Sequence, residues 1–273
     1  MLRRRAVAGL LVLSGLLTLG YLGISSYIAE QLVYATPNPI VRTPASLGLR
    51  FANVIVPSRD DQISLRGWFI PGVLPDGRLT ADRTIVVVHG TRTNRESPGD
   101  HLLELTGELA RHGLAVLSFD MRGMGESPPA PLSMGNLEQR DVLGAIDFLR
   151  TGQLPFPELG RPRIVGGLGI SMGAATLLLA AAREPTIQAV VSDSAYADAA
   201  GLLEREIPKR SVGGGRIPGV FAPSALVMGR ILYGVDLFAA RPVFKNTGSA
   251  YVTRVVGFFD AALGADRAVG LPA

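Results

Sequence analysis

Gly169-Ile170-Ser171-Met172-Gly173 constrains this chain more than any other stretch, because of what lies on either side of it. The apolar run Ile164 to Leu168 reads as a strand, and the small-residue run Ala174 to Ala182 reads as a helix. A strand that turns sharply into a helix holds the serine between them at a strained backbone position. It tolerates only glycine-sized neighbours, a demand that Gly169 and Gly173 meet. Such a turn presents the Ser171 hydroxyl at the strand's carboxyl end and aims the N–H of Met172 at any oxyanion formed there. The expected chemistry is acyl transfer.

The flanking pattern sets the architecture. Phe51 to Val56 and Ile63 to Phe69, separated by the turn-rich Pro57 to Gln62, predict a hairpin at an antiparallel edge. Thr84 to Val88 is β-branched throughout, as in a central strand buried on both faces, and ends at His89-Gly90-Thr91. Leu102, Leu105, Leu109 and Ala110 share a helical face that stops at Gly113, and Leu114 to Phe119 returns to strand. After the loop that begins at Asp120, Leu137 to Leu149 is again helical, and Ile187 to Val191 is a further strand. Strands alternating with helices predict a doubly wound, mostly parallel α/β sheet, whose ligands bind beyond the carboxyl ends of the strands. His89, Arg122, Ser171 and Asp193 all fall at that edge.

The N-terminus adds a second constraint. Ala6 to Ala29 is an uncharged run of 24 residues. As a helix it reaches about 36 Å, enough to cover a hydrocarbon core of ~30 Å. Arg3, Arg4 and Arg5 precede it, while Glu30 follows and no basic residue comes before Arg42, which puts the N-terminus in the cytoplasm and the body outside. Residues 1–29 are therefore expected as a membrane anchor standing clear of the body, 30–46 as a linker, and 47–273 as one folded domain. A cleaved signal peptide ending near Gly23-Ile24-Ser25 is the competing reading. Without the three N-terminal arginines the formal charge falls from +4 to +1, and no basic patch remains that would suit nucleic acid. The absence of cysteine excludes disulfides and thiolate metal sites.

With these residues placed, the chain from Leu47 to Val243 resembles the α/β-hydrolase superfamily, particularly bacterial esterase- or peptidase-like members with an N-terminal membrane anchor. The resemblance rests on Leu65-Arg66-Gly67-Trp68-Phe69, His89-Gly90, Asp120-x-Arg122-Gly123-x-Gly125-x-Ser127 and the glycine-flanked serine. It implies that Ser171 is a nucleophile, that the N–H groups of Met172 and Thr91 form an oxyanion hole, and that the substrate is a small-molecule or peptide acyl compound. It implies no cofactor and no metal. A cap segment is expected at about 201–238, with an apolar helix around Ala225 to Leu232. Val220, Phe221, Leu226, Val227, Ile231 and Leu232 would either line an acyl chain or pack on the body. Three residues carry two readings each: His89 braces its loop or meets substrate, Arg122 organises its loop or binds a substrate carboxylate, and Asp193 caps its strand or serves as a displaced catalytic acid.

Past Pro242 the family pattern fails. The catalytic acid and histidine should follow the serine in chain order, yet this chain has no histidine beyond His112. His112 is expected on the wrong edge of the sheet, which leaves His101 as the one substitute base. Val252, Val255, Val256, Phe259 and Leu263 share one helical face, like a final helix of the fold. An internal deletion near Val243–Phe244 would therefore truncate the sheet and leave Ile187 to Val191 at its edge. Two functions are compatible with this pattern: a serine hydrolase that cleaves an ester, thioester or peptide bond through an acyl-Ser171 intermediate, or a membrane-tethered pseudoenzyme or defective gene product that keeps the pocket without the base.

Overall fold

Ten strands and six helices make up the residues described in the computed structural model, which are 2–61, 63–212 and 215–242. A long helix α1 (Leu2–Val33) leads into β1 (Ala52–Pro57) and β2 (Ser64–Ile70), the expected hairpin. A small ribbon of β3 (Gly72–Val73) and β4 (Leu79–Thr80) precedes β5 (Arg83–Val88), α2 (Leu102–Arg111), β6 (Ala115–Phe119) and α3 (Gln139–Thr151). Then come β7 (Ile164–Ile170), α4 (Met172–Ala181), β8 (Ile187–Asp193), α5 (Ala199–Glu206), the ribbon β9 (Ser211–Val212) and β10 (Gly215–Arg216), and α6 (Ala222–Tyr233).

The main sheet has the order β1-β2-β6-β5-β7-β8. β6, β5, β7 and β8 run parallel, and β1 and β2 add an antiparallel edge. β5 lies between β6 and β7, as its β-branched run predicts, and its side chains alternate between two layers of core. Val86 and Val88 face the layer that holds Leu117, Phe119 and the buried sides of α3 and α4, whereas Val87 faces Trp68, Leu102, Leu103 and Ala110, under α2. α2 ends where expected, at Gly113, whose φ of 76° would strain any side-chain-bearing residue. Every residue of α4 is buried. Its close seat on the sheet depends on Gly167, where an added Cβ would lie 2.6 Å from Leu177.

β8 is the last strand of the sheet among the described residues, and Val191 on it is 46% exposed. The junction near Val243–Phe244 and the helix at Tyr251 to Leu263 lie outside the described residues, as do Gly213 and Gly214.

The N-terminal segment differs from expectation. α1 continues to Val33, past the expected boundary at residue 29, and does not stand clear of the body. Ser25, Ile28, Ala29, Leu32 and Val33 are buried at i, i+3, i+4, i+7 and i+8, the spacing of one helical face. Ile28, Leu32 and Val33 join the same core as the sheet, and the Val33 carbonyl accepts the N–H of Leu132 at 2.7 Å. The expected linker is strapped down as well. The side-chain amide of Asn94 donates to the carbonyls of Asn38 and Pro39 at 3.1 and 3.2 Å, and the Val41 N–H donates to Glu96 at 2.7 Å.

α3 crosses the turn between β1 and β2 at Gly144, where an added Cβ would meet the Pro57 carbonyl oxygen at 2.1 Å and Ser58 Cα at 2.8 Å. Backbone cannot yield there as a side-chain tip can. Gly144→Ala should therefore destabilise the fold by about 1–3 kcal/mol, measured as a lowered urea midpoint at unchanged slope.

Candidate active site

The carboxyl ends of β5 and β7 lie side by side, with Val88 paired to Gly169, so the loops that leave them run next to each other. Ser171 occupies the turn from β7 into α4 with φ 52° and ψ −115°, an unusual conformation for a residue with a side chain. Its N–H donates to the Asp193 carbonyl at 2.8 Å and its carbonyl accepts from Ala175 at 3.1 Å, so both neighbouring elements hold the turn. A Cβ on Gly173 would lie 2.2 Å from the Val88 oxygen, and one on Gly169 would lie 2.6 Å from the backbone of Gly173 and Ala174. The two glycines of the motif are thus required by contact between β5, β7 and α4. Gly90 passes directly beside the serine, since a Cβ added there would be 3.6 Å from Ser171 Cβ. Thr91 follows it, half-buried, and Met172 begins α4, whose first N–H groups have no partner within the helix.

His89 and Arg122 are committed elsewhere. His89 is fully buried; its Nε2 accepts the Met121 N–H at 3.0 Å, so Nδ1 carries the proton and donates to the Gly90 carbonyl at 2.7 Å. Burial holds its pKa below the usual imidazole value. Arg122, 3% exposed, donates its backbone N–H and its guanidinium to Asp141, and also reaches Asp61 at 2.5 Å and Ser58 at 2.9 Å. Both ring nitrogens of the one and the guanidinium of the other are thus engaged inside the protein. The partners of the Arg122 guanidinium are two carboxylates and a hydroxyl.

The rest of the Asp120–Ser127 loop is tied by the same logic. Asp120 is buried and accepts the N–H groups of Arg95 at 2.7 Å and Glu126 at 2.8 Å together with the Arg95 guanidinium. Its carboxylate occupies the space a side chain on Gly125 would need, 2.3 Å from an added Cβ, and Gly125 itself has φ 53°. Ser127 donates to the Asp120 carbonyl at 2.6 Å and accepts the Arg66 N–H at 3.0 Å.

Asp193 ends β8 level with Ile170, with an exposed side chain that accepts the Ser194 hydroxyl at 2.7 Å. Among the described residues no side chain hydrogen-bonds the Ser171 hydroxyl. His112 ends α2 on the opposite edge of the sheet and contacts the Glu108 carbonyl at 2.8 Å, and His101 begins α2 in a left-handed conformation without a bond to Ser171.

The segment after Thr91 carries no signal of its role in the sequence. The Arg92 carbonyl accepts from Asn38 at 2.5 Å, its N–H lies 3.2 Å from the Met124 sulfur, and its guanidinium donates to the Gln31 carbonyl near the end of α1. Asn94, Arg95, Glu96 and Ser97 are all buried, and the Arg95 guanidinium lies 4.4 Å from the centre of the Trp68 ring. A polar run after a buried strand signals a loop; only the strap from the N-terminal segment makes it an interior one.

A strained serine at the carboxyl edge of a doubly wound sheet, with a glycine-led strand end against it, defines a class of α/β proteins that bind ligand at that edge. This chain belongs to the alpha/beta hydrolase family, whose sequence profile matches residues 85–272. Among solved structures, an esterase from Pyrococcus furiosus resembles it in two crystal forms, with TM-scores of 0.53 and 0.55 at 23% and 21% identity. Each alignment covers 72% of this chain, with 69% and 70% of the esterase chain. At that identity the likeness is one of fold. No curated protein matches the sequence.

A depressed pKa at His89 means that the unfolded chain binds the proton more tightly, so stability is lost as pH falls below about 6.5, by up to about 1.4 kcal/mol per unit. His89→Gln should flatten the fall between about pH 6.5 and 5, read from urea midpoints of the detergent-solubilised protein. An unchanged slope would assign the acid sensitivity to another group.

Proposed function

We propose that this chain carries the acyl-binding part of a membrane-anchored serine hydrolase: Ser171 is the nucleophile for a small-molecule or peptide ester, thioester or amide, and the N–H groups of Met172 and Thr91 receive the oxyanion. The observation that carries this is the Ser171 backbone, held at φ 52° between two glycines that permit no side chain, with Gly90 against its Cβ. A turn of that shape supports attack on a carbonyl carbon, with the charge developing toward the amino end of α4. Asp193, beside the turn and exposed, is a carboxylate at hand for a displaced acid.

The histidines favour a second reading, in which the site is retained without turnover. His89 is consumed as a brace, His112 lies on the far edge, and the sequence has no histidine after it. Loss of the base from a serine triad lowers turnover on the order of 10⁶-fold, leaving ~10³ to 10⁴ over water from binding and the oxyanion hole. Hydrolysis of a p-nitrophenyl ester should therefore stay at the level of Ser171→Ala, and a fluorophosphonate probe should label Ser171 weakly or not at all. Turnover that Ser171→Ala abolishes would restore the full hydrolase, with His101→Ala as the variant that identifies its base.

The anchor is part of the same proposal. α1 crosses the membrane with its N-terminus in the cytoplasm, supported by Arg3, Arg4 and Arg5 at its start. Its retention is supported by contacts that removal of a signal peptide near Ser26 would destroy, including Ser25 with Ser224 at 2.8 Å. A reporter active only outside the cytoplasm should work when fused after Ala273, and activity of a cytoplasm-only reporter there would reverse the orientation.

A further inference from the structure

The polypeptide between the β9–β10 ribbon and α6 forms a short helical turn, Gly219–Phe221, that touches α1 well before α1 enters the body. The Tyr21 hydroxyl donates to the Val220 carbonyl at 2.9 Å, and the Tyr21 ring stacks on Phe221 with centroids 5.0 Å apart. Higher up, α6 runs alongside α1 in the same direction: Ser224 meets Ser25, and Tyr233 meets Tyr34 edge-on at 5.5 Å. The first contact therefore marks the end of the domain nearest the apolar half of α1.

Helix length fixes where that end lies. The 32 residues of α1 make a rod of about 48 Å, longer than a hydrocarbon core of ~30 Å. A core that begins after Arg5 takes up about 20 residues and ends near Ser25. The burial pattern agrees with this boundary: large apolar residues from Val7 to Ile24 are exposed, and the buried stripe begins at Ser25. Tyr21 lies one turn on the lipid side of the boundary, and Val220 and Phe221 are bonded and stacked against it. Val220 is 63% exposed, so none of the described residues covers it. A tyrosine paired with a phenylalanine and an uncovered valine suits the layer where headgroups meet acyl chains.

We propose that the Gly219–Phe221 turn is embedded in the bilayer surface beside α1, so that the domain stands on the membrane through its cap as well as hanging from its anchor. The partner is the lipid itself, in the leaflet on the domain's side. The inference rests on α1 spanning the membrane and is independent of whether Ser171 turns over substrate.

Because the chain has no cysteine, Leu13→Cys, Val220→Cys and Thr151→Cys each accept a single nitroxide label. All three positions are exposed, and Thr151 ends α3. The full chain is reconstituted in phosphatidylcholine vesicles, and accessibility to oxygen is compared with accessibility to a water-soluble nickel chelate. The expected result is that Leu13 and Val220 both favour oxygen several-fold over Thr151, with Val220 the shallower of the two. Val220 matching Thr151 while Leu13 favours oxygen would overturn the embedded turn and leave the anchor intact. Leu13 matching Thr151 would overturn the anchor and this inference with it.

Discussion

Three backbone segments meet at the elbow because two side chains are missing. Gly173 lets α4 approach the end of β5, and Gly169 lets β7 turn under the first residues of α4; a methyl at either position would collide with backbone at 2.2 to 2.6 Å. The turn forces Ser171 into a conformation that costs of order 1–3 kcal/mol in isolation. That cost is offset by the hydrogen bond to Asp193, which ties the turn to β8, and by the burial of the whole of α4. The geometry of the site is therefore a property of close packing across three elements, and among the described residues the serine hydroxyl is placed without any side-chain bond of its own.

Around this turn the loops are held by charges taken out of water. Arg95 with Asp120 and Arg122 with Asp141 are each buried on both sides, and each carboxylate also accepts backbone N–H groups. Desolvation makes such pairs weak contributors to net stability, but removal of one partner strands the other and costs about 3–5 kcal/mol. Burial raises the Asp141 pKa, and the Arg122 guanidinium opposes that rise. The result is a pair of loops with few alternative arrangements, extending from β5 and β6 on one side of the strand that carries Ser171.

Most of the sheet was legible because its signals are local. The β-branched Thr84 to Val88, the helical spacing from Leu102, and glycine on both sides of Ser171 each describe their own surroundings. What stayed hidden depended on partners far along the chain. Arg122 meets Asp61 and Ser58, and Asn94 meets Asn38; nothing in the short stretches around those residues indicates the pairing. The docking of α1 was hidden for a different reason. Its buried stripe from Ser25 to Val33 has helical spacing, but it continues an apolar run so uniform that no polar face marks where exposed helix gives way to docked helix.

One helix thus carries two different kinds of surface. From Val7 to Leu19 its large apolar side chains are exposed, whereas from Ser25 to Val33 one face is buried in the body. An extra residue placed before Tyr21 shifts the preceding segment by about 1.5 Å and turns it by about 100° relative to the docked part, without moving the buried stripe. The same insertion between Ile28 and Val33 would rotate the stripe out of the core and pull Gln31 away from Arg92. Length in α1 is tolerant before Tyr21, and helical phase is strict after Ser25.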